Sequence, residues 1–247
     1  MNKTKSCLSI FFNALLIIAV SICLGSMATR TLHYKDAEPI ILHWRIFLYF
    51  NVLASIVLAL SCVVMLGASA MNISKNRPNL GYLKHAYIFK LIGTTSAAFV
   101  LLTCILVVGP TKGFDKSIFE DEQWALNIAI PIVATLSFVF LEYKKTKKVS
   151  ILFAVIPALV YIVICIPLNL TGTFDKAIHD QAPYPIFDYQ NAPAWESTLE
   201  TLALVAVSFG TGAGIYFANR AMFENAYPRI NAKKYQKEQA QKKNIKA

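Results

Sequence analysis

The residues able to do chemistry in this chain are few, and most are amides and hydroxyls inside apolar stretches. Asn51 and Ser55 are four residues apart, which places both on one face of a helix. Asn127 interrupts a second apolar stretch, four residues before Pro131. Ser61, Thr94, Thr95, Ser96, Thr103, Thr135 and Ser137 are further polar residues in these stretches. Hydroxyls so placed ordinarily bond between helices, at about 0.6 kcal/mol each. Amides are costlier to bury, so Asn51, Ser55 and Asn127 form the candidate intramembrane polar pocket.

Ionisable groups inside the apolar stretches would be functional candidates by default, and only two occur near them. Lys90 falls within a turn or two of the boundary of its stretch, where its long stem is expected to snorkel to head groups. Glu200 stands at the outer end of the last stretch, within reach of water. Neither reads as a buried proton-relay residue. His33, His43, His85 and His179 have no metal-ligand spacing, and no HExxH, CxxC or GxSxG occurs. No metal and no cofactor is expected. Cys7, Cys23, Cys62, Cys104 and Cys165 all lie in apolar stretches and read as small packing residues.

The elements that must carry these residues are set by composition. Only 15% of the 247 residues are charged and 56% are hydrophobic, against about 25% charged in a soluble domain. Mean hydropathy is +0.50. Six apolar runs account for the deficit, at about 6–27, 46–70, 86–108, 124–141, 149–168 and 198–217. Each is close to the roughly 20 residues that a helix needs to cross a bilayer. None alternates in polarity as a barrel strand would. The expected fold class is an all-α integral membrane protein: a six-transmembrane-helix bundle over 1–218, followed by a basic tail over 219–247. Lys3 and Lys5 before the first run would also suit a signal peptide, but no small-x-small cleavage site follows. Retention as the first helix is expected. Gly210 and Gly214 form a GxxxG pair in the last run, for which packing inside the bundle is favoured over dimerisation.

Charge gives the bundle a direction. The N-terminus, the 71–85 and 142–148 loops and the segment from Arg220 onward hold seventeen Lys and Arg; the other three loops hold six. The positive-inside rule then puts both termini in the cytoplasm, as expected of a multi-pass cell-membrane protein. Glu142 counts here as a residue of the 142–148 loop. The net charge of +10 is thus a basic inner surface over an acidic outer one, which argues against nucleic acid as a partner. The expected partners are membrane lipids. Lys233, Lys234, Lys237, Lys242, Lys243 and Lys246 in the tail could meet anionic head groups at about 1 kcal/mol per residue.

The longest loop, 169–197, carries Tyr184-Pro185-Ile186-Phe187-Asp188-Tyr189. Aromatics favour the membrane interface, so Tyr184, Pro185, Phe187 and Asp188 form a candidate external cap. This Tyr-Pro-x-Phe-acid motif before a final helix resembles the androgen-induced-gene and ADTRP-type six-helix membrane proteins. The 49–55 stretch (Tyr-Phe-Asn-Val-Leu-Ala-Ser) and the 126–131 stretch (Leu-Asn-Ile-Ala-Ile-Pro) are similar to that family's motifs in its second and fourth helices. The resemblance implies an intramembrane hydrolase of fatty-acid esters, with a threonine nucleophile and a histidine base. Here those positions read Asn51 and Asn127. An amide is neither an alcohol nucleophile nor a base at neutral pH, so the implied catalytic pair is missing.

Three functions follow as expectations. The first is a non-catalytic bundle binding a lipid or amphipathic ligand near Asn51, Ser55 and Asn127. The second is an ester hydrolase using other residues, such as Ser55 with His43. The third, a small transporter, is disfavoured by the lack of a buried charge and of internal repeats.

Overall fold

The computed structural model describes residues 3–32, 40–74, 80–112, 123–142, 146–173 and 193–224. Six apolar helices organise them. Helix α1 is Lys3–Thr29, α2 is Phe50–Ser74 and α3 is Leu80–Thr103. Helix α3 runs on through a π-helical turn, Cys104–Val108, into a last turn, Gly109–Lys112. Helix α4 is Ile130–Leu141, α5 is Ile156–Leu170 and α6 is Ala194–Glu224. Five are long and apolar enough to cross a membrane, α5 when taken with the turn before it as Ser150–Leu170, and the fourth, Ala125–Leu141 with its π-turn, is shorter. A two-residue antiparallel ladder, Thr31–Leu32 with Ile40–Ile41, is the one departure from all-α structure among the described residues.

The helices are apolar outward. On α1 the exposed positions are Leu8, Phe11, Leu15, Ile18 and Ile22, at alternating spacings of three and four, with Phe11 60% and Ile22 67% exposed. Its buried positions are Ser6, Ser9, Asn13, Leu16, Val20, Cys23 and Met27. Water would charge such a surface about 25 cal/mol per Å² of exposed apolar area. Lipid does not, and so this chain is an integral membrane protein of the all-α class. Helices α1 to α4 pack round one axis, with α6 against α3 and α4 and α5 against α3 and α6.

The interruptions have local causes. Pro131 lacks an N–H, so the carbonyl of Asn127 loses its ordinary partner, and the backbone there widens into a π-turn, Ala125–Ala129. Pro157 likewise separates α5 from the short helix Ser150–Phe153 that precedes it. The expected second span begins too early: His43–Leu48 is a separate 3-10 helix, Tyr49 is extended, and α2 starts at Phe50.

The glycine expectation is corrected. A Cβ on Gly210 or Gly214 would meet nothing within 4 Å, so the GxxxG face points out of the bundle. Gly212, on the opposite side, is the packing glycine; its Cβ would lie 2.9 Å from the Ala154 Cβ. Gly93 has the same role between α3 and α2, where a Cβ would strike Ser61 Oγ and stand 2.9 Å from the Leu58 Cα.

Candidate functional site

Two polar clusters lie on the axis shared by α1 to α4. The first is at the end where α2 begins. Asn51 donates through Nδ2 to Asn127 Oδ1 and to Gln123 Oε1, each at 3.0 Å. Asn127 donates to the same Gln123 oxygen at 3.3 Å, and Gln123 donates to Met27 Sδ at 3.9 Å. Asn51 Oδ1 accepts from the Val52 N–H at 2.9 Å, one of the donors a helix start leaves unpaired. Asn51 and Asn127, placed on different helices from sequence alone, therefore face each other, and the π-turn before Pro131 is what turns Asn127 inward. All three amide oxygens are occupied, so the triad is closed. Ser55 is buried one turn along α2 but takes no part in it. Gln123 was not foreseen, because it precedes the apolar run.

The proposed Ser55 and His43 pair does not form. His43 is exposed at the start of the 3-10 helix, with a left-handed φ of 37°, whereas Ser55 is buried. Tyr184, Pro185, Phe187 and Asp188 lie outside the described residues, as do Lys233, Lys234, Lys237, Lys242, Lys243 and Lys246.

The second cluster overturns an expectation. Lys90 does not snorkel: it is 0% exposed, about 10 Å along α3 from Leu83 by helical rise. Its ammonium donates to Cys62 Sγ on α2 at 2.7 Å. Glu142, taken from the sequence as a loop residue, is also 0% exposed. One of its oxygens, Oε1, accepts from Asn13 Nδ2 at 2.7 Å and from Ser9 Oγ at 3.2 Å, both on α1. Ser9 Oγ also lies 3.3 Å from Ser69 Oγ of α2. The main chain of Glu142 is held from α6, where Asn219 Nδ2 donates to the carbonyls of Phe138, Val139 and Glu142 at 2.9, 3.3 and 2.5 Å. Tyr87 of α3 donates to Asn219 Oδ1 at 2.8 Å. An amide on one helix thus caps the end of another.

This second cluster is left open. Among the described residues, Glu142 Oε2 and Asn13 Oδ1 are buried without a hydrogen-bond partner, as is Thr94 Oγ1, one turn from Lys90. The Lys90 ammonium attracts the Glu142 carboxylate, but among the described residues no hydrogen bond or ion pair joins them directly. Glu142 stands one residue beyond the fourth span. Burial pushes its carboxyl up from the usual range, while Lys90, Asn13 and Ser9 pull it back down.

The sequence carried one signal of this centre, Asn13, an amide in the middle of the first apolar run. Fold and clusters together define an α-helical multi-pass membrane protein with a charged centre inside its bundle. No protein-family model matches the chain, and no curated protein or solved structure is similar to it.

Proposed function

We propose that this protein is a small proton- or cation-coupled carrier whose working centre is the Lys90 and Glu142 cluster. One observation carries the reading: two oppositely charged side chains are wholly buried in an apolar bundle without pairing directly. Charges within a span, as Lys90 is, are costly and mark ion pathways and proton relays, and Glu142 stands at the end of its span. The absence of buried charge was the chief argument against a transporter, and it no longer stands.

The lipid-binding reading at Asn51, Ser55 and Asn127 has less support, because the amide oxygens there are already taken by the triad and the Val52 N–H. A hydrolase at that place would lack a nucleophile and a base, since both positions are amides. The charge asymmetry of the loops supports a cell-membrane orientation with both termini in the cytoplasm. In that orientation the Glu142 end of the bundle faces the cytoplasm, and the tail lysines meet anionic head groups.

The test is flux. The full chain is reconstituted into vesicles containing a pH-reporting dye, and a panel of amino acids, sugars and organic cations is added outside. A solute-dependent pH change that Glu142→Gln abolishes is expected. Folded protein that moves neither protons nor sodium with any solute would sink the carrier reading.

A further inference from the structure

The open cluster has a definite chemical deficit. Asn13 has committed both amide hydrogens, to Ser9 and to Glu142. The hydroxyls of Ser9 and Ser69 are engaged with each other and with Glu142 Oε1. What remains is a carboxylate oxygen, Glu142 Oε2, and an amide oxygen, Asn13 Oδ1, both buried and both acceptors. Their carriers are joined by the 2.7 Å bond from Asn13 Nδ2 to Glu142 Oε1. Buried acceptors require a donor or a cation. The one cation in the core among the described residues is the ammonium of Lys90, which feels the Glu142 charge but rests on a thiol. A thiol is a weak acceptor, so this resting place holds the ammonium lightly.

We propose that Glu142 Oε2 and Asn13 Oδ1 form a binding site for one monovalent cation, a proton or an alkali ion, and that Lys90 is a tethered ammonium competing for it. With the site filled, Lys90 is held off at Cys62. With the site empty, Lys90 swings to the carboxylate, and the buried charge is never left uncompensated. Naming that cation as the coupling ion rests on the carrier reading; its binding does not. The titratable groups facing Glu142 among the described residues are Cys62 from α2 and Lys90 and Tyr87 from α3. Helix α1 presents Ser9 and Asn13 to it and helix α6 presents Asn219, while Lys5 of α1 lies over the Phe223 ring at 4.3 Å.

The experiment is thermal unfolding of the purified full chain in detergent. One arm titrates sodium against choline at fixed pH and ionic strength; the other lowers pH in choline. A saturable rise in melting temperature in the sodium arm identifies an alkali ion, and a rise confined to the pH arm identifies a proton. Glu142→Gln loses the response. Lys90→Met keeps it and moves its midpoint by about tenfold toward tighter binding, because the competitor no longer occupies the site. Should Glu142→Gln fail to fold, the pair Lys90→Met with Glu142→Gln, which removes both charges, is expected to fold and to show no response. A response that survives loss of Glu142, a midpoint unmoved by Lys90→Met, or no response in either wild type or Lys90→Met overturns the proposal. Cation binding without any vesicle flux would overturn the carrier reading alone, and flux without cation binding this site alone.

Discussion

The two polar clusters use similar residues to opposite ends. At the α2 start, Asn51, Gln123 and Asn127 exchange hydrogen bonds until every amide oxygen is taken. At the α4 end, Asn13 and Ser9 gather round a single carboxylate oxygen and leave its twin bare. Neutral amides satisfied among themselves are glue between helices. A charge solvated on one side only is a group kept ready for something else. The difference shows that polarity inside a membrane bundle is not itself the mark of a working site; unmet demand is.

The strongest attempt to break this contrast is Lys90→Met. Removing one partner of a buried charge pair leaves the other uncompensated, at about 3–5 kcal/mol. Unfolding in mixed micelles should record a loss of that order. The double change Lys90→Met with Glu142→Gln should recover most of it, because replacing both charges is often nearly neutral. If the single and double changes cost the same, the two residues are not coupled and the centre is merely a packed polar patch.

Next in size is Asn219→Leu. It strips a donor from the carbonyls of Phe138, Val139 and Glu142 and removes the Asn219 Oδ1 that accepts from Tyr87. Unsatisfied buried groups cost about 1–3 kcal/mol. The same change should leave the Asn51 triad intact, so a hydrogen-exchange comparison is expected to show loosening at the α4 end and none at the α2 start.

How far these clusters could be read from sequence follows from what creates them. The apolar runs fixed the helices, because a membrane leaves the backbone no other partner. Asn51 and Asn127 stood out as amides in apolar surroundings, and the structure brings them within 3.0 Å. Glu142 was illegible, since one residue past the end of a run it looks like the first residue of a basic loop. What buries it is Asn219 from α6, which holds the chain in and denies it to water. Lys90 misled for a related reason. A lysine near a helix end snorkels only if its face meets lipid, and facing is set by the approach of α2 to α3 at Gly93, not by sequence depth. The outward turn of Gly210 and Gly214 makes the same point: spacing announces a close contact but not its partner.

A pH series sharpens the comparison further. Folding raises the Glu142 carboxyl above its ordinary 4.5, chiefly by burial. A raised acid contributes stability that is complete below its unfolded value and is lost as pH climbs through the folded one. Melting temperature in choline buffers should therefore fall as pH rises from about 4.5, and Glu142→Gln should flatten that slope. Substitution at Asn51 should leave the slope as it is.

The smallest effect belongs to the closed triad. Asn51→Leu and Asn127→Leu each remove one side of a hydrogen bond between α2 and α4 while keeping the volume near that of the amide. Membrane double-mutant cycles put such a bond at about 0.6 kcal/mol, with a ceiling near 1.7. A coupling energy in that range, with no change in cation response, would confirm the triad as a structural tie. Gln123 complicates the expectation in an informative way. It accepts from both asparagines, so either single change leaves it one remaining donor, and only the double change strands its oxygen. This stranding opposes the direct tie, which either single change already breaks and which by itself makes the double variant cost less than the sum of the singles. A double variant that costs less than the sum by the full value of the tie would mean that Gln123 finds water, and that the triad is open to solvent where the hydrogen bonds make it look shut.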